Sequence, residues 1–247
     1  MTAAMAPGRS TLPYIVLGTI ALVIAWGLYA SGLATDMLRY KKDVFYLFKQ
    51  HLVLVAISGS LAIVFGLAVG IWLSRPWMAR WSDGIIQAVN MVTSIPTLGK
   101  LALMMSLLGI GALPAIVGLW IATLLPIIRN TYEGIRAVPA PMVDAARGMG
   151  MSGGDILRRV ELPNALFVIF AGVRTAMAVN VGTAPIAFLI GGGGLGELIF
   201  TGIDLQEQGM MLAGAIPTAL LAVAVDFLFG QAQYWLVPRG VNPLRNL

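Results

Sequence analysis

The 247-residue chain has no cysteine and one histidine, His51. Disulfides and thiolate metal ligands are therefore excluded, and a catalytic zinc site or a Cys–His nucleophile pair lacks its parts. Charge is scarce too: Asp, Glu, Lys and Arg together make up 11% of residues, where a soluble domain carries roughly 25%. No phosphate-binding loop is present. The one Gly-Lys pair, Gly99-Lys100, is followed by Leu101, and the glycines at 191–194 and 196 lack dinucleotide-fingerprint spacing and a strand–helix setting. ATP hydrolysis by this chain alone is not expected. With no intramembrane catalytic pair evident, neither is an enzyme.

Apolar residues are abundant, 58% of the chain, with a mean hydropathy of +0.86. A soluble protein of this length could not hide so much apolar surface, so the fold expected is all-α, a polytopic integral membrane protein of about six transmembrane helices. The first apolar run, residues 13–30, exceeds the roughly 7 to 15 residues of a signal-peptide core and reads as a retained span. Residues 34–50, with Arg39, Lys41, Lys42 and Lys49, read as a polar connection, making residues 1–50 an N-terminal unit. Further spans are expected at 51–73, 85–108, 113–128, 164–190 and 209–229, within a transmembrane domain of residues 51–235, and residues 236–247 form a tail. His51 stands at a span boundary and reads as an interfacial residue; Trp77, Trp81 and Trp235 lie near span ends, where indoles anchor.

In the second span, Ser58, Ala62, Gly66, Gly70 and Ser74 recur every fourth residue and put small side chains on one helix face, where another helix can approach closely. The third run contains Asn90, Thr93, Ser94, Pro96 and Lys100. Proline frees a backbone carbonyl, which at membrane depth survives only against protein or a watery cavity. Asn90, Ser94, Pro96 and Lys100, with Asn180 and Thr183 of the fifth span, are thus candidate lining of a translocation path, although helix packing explains them equally well. Arg174 and Asp226 also fall within spans, where a charge demands a partner; at roughly 1.5 Å per residue Arg174 sits about 15 Å past Asn164 and Asp226 lies near the cytoplasmic end of its span, within reach of a long arginine, so a structural ion pair is expected.

The five excess positive charges flank apolar runs instead of forming a nucleic-acid stripe. With the amino terminus inside, ten arginines (9, 75, 80, 129, 136, 147, 158, 159, 239 and 245) fall on the cytoplasmic side and four basic residues (39, 41, 42 and 49) outside. Positive residues accumulate inside, so both termini are expected in the cytoplasm, as is the loop between the fourth and fifth spans.

That loop holds the longest polar interruption, residues 143–163, VDAARGMGMSGGDILRRVELP. Pro139 and Pro141 suit the opening of a helix, Gly148 and Gly150 its stop, Ser152 with Asp155 the cap of a second short helix, and Pro163 its bound. The stretch resembles the EAA loop of permease subunits of binding-protein-dependent ABC importers, which reads E-A-A, three residues, G, nine residues, I-x-L-P. Asp144, Ala145, Ala146, Gly150, Val160, Leu162 and Pro163 occupy those positions without a gap, Asp replacing Glu and Val replacing Ile. The resemblance implies a type I, MetI-like permease core, in a bacterial inner membrane, whose residues 139–163 dock as a coupling element on a separate ATPase subunit. ATP and Mg would be bound there, with no cofactor on this chain. It also implies a second permease subunit, identical or paralogous, and an extracytoplasmic substrate-binding protein.

Longer stretches, among them SIPTLGKLALM, LLGIGALPAIVGLW and AGVRTAMAVNVGTAPIAFLIGGGGLGELIFTGI, are similar to permeases of importers for osmoprotectants such as glycine betaine, carnitine or choline. The likeness covers most of residues 51–230; Lys100 departs from it, standing where those permeases continue with small or apolar residues. The residues leave open another cargo, such as methionine, a sulfonate or another amine, and a carrier not driven by ATP.

Overall fold

The structure is a computed structural model describing residues 29–243, with 19, 22, 26 and 27. Most of the expected first span, 13–30, lies outside the described residues. The regular structure of the described residues is helical, in the order α1 (Leu33–Arg39), α2 (Lys41–Leu73), a 3-10 turn (Pro76–Met78), α3 (Ser82–Ser94), α4 (Thr97–Leu108), α5 (Ala112–Arg136), α6 (Ala140–Gly148), α7 (Gly153–Ile156), a π-helical turn (Leu157–Glu161), α8 (Leu162–Thr183), a 3-10 segment (Ala184–Ile190), α9 (Gly196–Asp204), α10 (Gln208–Leu236) and a 3-10 turn (Arg239–Val241). Among these residues, four helices are long and apolar enough to cross a membrane, and the bent pair α3–α4 makes a fifth if counted as one span.

Three expectations about helix boundaries are corrected. The connection at 34–50 is helical: α2 begins at Lys41 and runs 33 residues, so position 51 falls inside a helix. Charged side chains end an apolar run without interrupting backbone hydrogen bonding, so the helix extends beyond the run. The third run is not one rod; α3 and α4 meet at 91°. Ile95, forced out of the helical region by the following proline, is extended at ψ 130°. Pro163 does not close the second loop helix, because it sits in the first turn of α8, where a missing N–H is tolerated. Residues 153–190 therefore run on as one 38-residue helical rod.

The core forms where α5 lies against α2 on one side and α8 on the other, filled by Leu54, Val55, Ala62, Leu119, Ile127, Ala176 and Met177. The small residues of α2 are what allow this. A Cβ on Gly66 would stand 2.7 Å from Ile127, and one on Gly70 2.5 Å from Thr131 and 2.8 Å from the Ile128 carbonyl. On the other side of α5, the missing Cβ of Gly172 admits Asn130 and the Pro126 carbonyl. Large apolar side chains face outward on α2 and α10, Val64, Phe65, Val223, Phe227 and Leu228 among them, as a lipid-facing surface requires.

The connections segregate to two ends. At one, Tyr40 meets Glu207, the Gln50 side chain accepts from the Gly194 N–H at 3.1 Å, and the Gly111 N–H donates to the Ile190 carbonyl at 2.9 Å. The glycine run makes this end possible: Gly191, Gly193 and Gly194 have φ of 79°, 73° and 86°. His51, against Gly194, is fully buried and not interfacial, since α2 starts ten residues before it. At the other end the α2–α3 connection meets the central loop, with Trp77, Trp81 and Trp235 exposed there or near span ends. The tail folds back, and Val237 and Asn242 are fully buried.

Candidate functional site

The central loop is built by local rules. Pro139 and Pro141 flank the first residue of α6, and the helix stops through two paired hydrogen bonds, Met151 N–H to the Ala146 carbonyl at 3.1 Å and Gly150 N–H to the Arg147 carbonyl at 2.9 Å. That stop requires a left-handed residue, which Gly150 supplies at φ 80°. Ser152 then opens α7, its hydroxyl accepting from the Asp155 N–H at 3.2 Å and donating to the Asp155 carboxylate at 2.6 Å. Ala146 and Ile156 anchor the element inward, at 1% and 5% exposure. Asp144, Ala145 and Gly150 are exposed, while Val160 in the π turn and Leu162 and Pro163 at the start of α8 are half-buried. Ion pairs Arg147–Asp144 (3.3 Å) and Arg159–Asp155 (3.6 Å) lie on the open surface, where each contributes little. Met149, which the sequence reading passed over, projects from the tip 75% exposed, a large apolar side chain offered at a polar end.

The candidate path residues do not share one surface. Four gather at the α3–α4 break: the Ser94 hydroxyl donates to the Asn90 carbonyl at 2.9 Å, Pro96 is exposed, and buried Lys100 donates to the Thr93 carbonyl at 3.2 Å. Lys100 thereby caps the carbonyl end of α3, where a cation complements the helix dipole. Asn180 stands elsewhere. It is fully buried against α2, its amide donating to the Ser58 hydroxyl at 2.9 Å, so its polar group is committed to helix packing. Thr183 turns its hydroxyl to its own helix, 2.8 Å from the Val179 carbonyl.

Arg174 and Asp226 stand 2.8 Å and 3.1 Å apart through two nitrogen–oxygen contacts between α8 and α10. Gln233 joins them, its oxygen 3.3 Å from the guanidinium and its amide donating to the Phe167 carbonyl at 3.0 Å. The group lines a cleft of about 550 Å³ with Thr175 and Val179. At the opposite end of the bundle, the Glu207 carboxylate holds the Tyr40 phenol above its usual range by accepting its hydrogen bond.

Residues 62–240 match the family described as binding-protein-dependent transport system inner membrane component. The chain is 44% identical to the osmoprotectant import permease protein OsmY of Salmonella typhimurium over 219 residues, 88% of this chain and 93% of that one. It is 38% identical to the choline transport system permease protein OpuBB of Bacillus subtilis, covering 83% and 94% of the two chains. In fold it is similar to a subunit of the inward-facing MetNI methionine ABC transporter, with TM-score 0.69 and 24% identity, over 81% of this chain and 96% of that one.

Proposed function

Since the chain belongs to the family of inner membrane components of binding-protein-dependent transport systems, we propose that it is the permease subunit of an ATP-driven importer of osmoprotectants, quaternary amines such as glycine betaine, carnitine or choline. The observation that carries this reading is the 44% identity with an osmoprotectant import permease over 88% of the chain. ATP and Mg are used by a separate subunit. Two permease subunits enclose the path, an external binding protein delivers the ligand, and the ATPase receives the α6–α7 element at its exposed Asp144 and Ala145, while buried Ala146 anchors that element and the Gly150 stop sets its shape. Val160, Leu162 and Pro163 join that element to α8, so closure of the ATPase turns α8. The end carrying the central loop faces the cytoplasm, as do both termini, because the arginines concentrate there. The break between α3 and α4, with Asn90, Ser94, Pro96 and Lys100, faces the path, and the Arg174–Asp226 pair holds α8 to α10.

The test is uptake of labelled glycine betaine, carnitine and choline into cells lacking other carriers for them, with the partner subunits co-expressed. Accumulation that requires the permease supports the reading. Its absence, with the protein correctly inserted and bound to its ATPase, would overturn the cargo; failure to bind any ATPase would overturn the importer.

A further inference from the structure

Six ion pairs occur among the described residues, and four join residues three or four apart on one helix. Of the two that cross between elements, Arg75–Glu161 is the better covered, its side chains 11% and 16% exposed and the nitrogen–oxygen distance 2.7 Å. Its partners are 86 positions apart in sequence.

Each partner is fixed to a different body. The Arg75 guanidinium donates to the Ile71 carbonyl at 3.2 Å and to the Ser74 hydroxyl at 2.9 Å, so it belongs to the end of α2. Ser82, the first residue of α3, donates to the Leu73 carbonyl at 2.7 Å and ties the broken span to that same end. Glu161 closes the π turn that joins α7 to α8. Beside the pair, a cleft of about 330 Å³ lined by Trp77, Arg147, Gly153 and Ile156 separates the two segments, so the ion pair bridges a gap. The apolar cluster containing Ile71, Leu157 and Leu162 packs alongside. Apolar contact is non-directional and tolerates sliding, whereas a charge-assisted hydrogen bond fixes position. Separating the pair would leave two covered charges without a counter-charge, a cost that holds the segments together as they move.

We propose that Arg75 and Glu161 are the link that carries movement of the α6–α7 element to α2 and, through Ser82, to the broken span at Ile95–Pro96. The link rests on the reading of that element as the ATPase-facing one. Both residues act by position and touch neither ligand nor nucleotide.

The test uses the whole reconstituted complex and measures uptake and ATP hydrolysis together. Arg75→Gln and Glu161→Gln are expected to keep hydrolysis while uptake per ATP falls on the order of tenfold, within the range of ordinary coupling energies. A chain free of cysteine permits a control in a single folded sample: Arg75→Cys with Glu161→Cys, bridged by a short reducible bis-methanethiosulfonate. Uptake per ATP near wild type when bridged, and about tenfold lower after reduction, supports the link. Equal uptake in both states, or lower uptake when bridged, overturns it. A wild-type complex whose uptake does not depend on ATP would overturn the functional reading and the link with it.

Discussion

Gly150 offers a prediction whose magnitude follows from geometry. Its φ is 80°, and a Cβ built there meets nothing within 4 Å. Side-chain bulk therefore meets no obstacle within the chain, and a substitution acts on the fold through the backbone alone. A left-handed conformation costs an L-residue roughly 1–2 kcal/mol, which lowers the ratio of stopped to unstopped α6 by about 5- to 30-fold, since 1.4 kcal/mol is a factor of ten. Asn tolerates this region best among side-chain-bearing residues and β-branched residues worst. Uptake per ATP in proteoliposomes should thus fall in the order Gly150→Asn, Gly150→Ala, Gly150→Val, with insertion and assembly unchanged. Gly150→Arg should resemble Gly150→Ala despite its size. If Asn is as damaging as Val, or if the loss tracks side-chain volume, the helix-stop reasoning is refuted and the residue is a contact surface.

Three more perturbations are predicted. Gly70→Val places atoms 2.5 Å from Thr131 and 2.8 Å from a backbone carbonyl, so it should destabilise by about 1–3 kcal/mol, read as a lower melting temperature in detergent. Arg174→Ala and Asp226→Ala, 2.8 Å apart in the native chain, should show a coupling of roughly 0.5–3 kcal/mol in a double-mutant cycle of thermal stability; additive losses would count against a stabilising pair. The raised pKa of Tyr40 stabilises the fold below the ordinary phenol value near 10 and is lost as pH rises through the higher folded value. The stability of wild type over Tyr40→Phe should accordingly shrink across that interval when melting is followed against pH.

The central loop was legible because its instructions are local. Proline at a helix start, glycine in a left-handed stop and Ser152 with Asp155 at a cap each act within four residues, and the structure uses all three. Hydropathy was less informative. It marks the limits of the hydrocarbon, so the start of α2 at Lys41 and the burial of His51 were invisible to it. The bend at Ile95 did have a sequence signal, the following proline, but the angle of 91° depends on packing that no dipeptide encodes. Least legible were contacts joining distant positions. Nothing near Asn180 announces that its amide meets Ser58, and nothing near Arg75 points to Glu161.

The most direct test of the importer assignment is ATP-dependent uptake by the purified complex in proteoliposomes, with the binding protein outside and ATP or a non-hydrolysable analogue within. Accumulation of labelled glycine betaine, choline or carnitine that requires both ATP and the binding protein is the predicted result. Uptake that continues with the analogue, or without the binding protein, would contradict it.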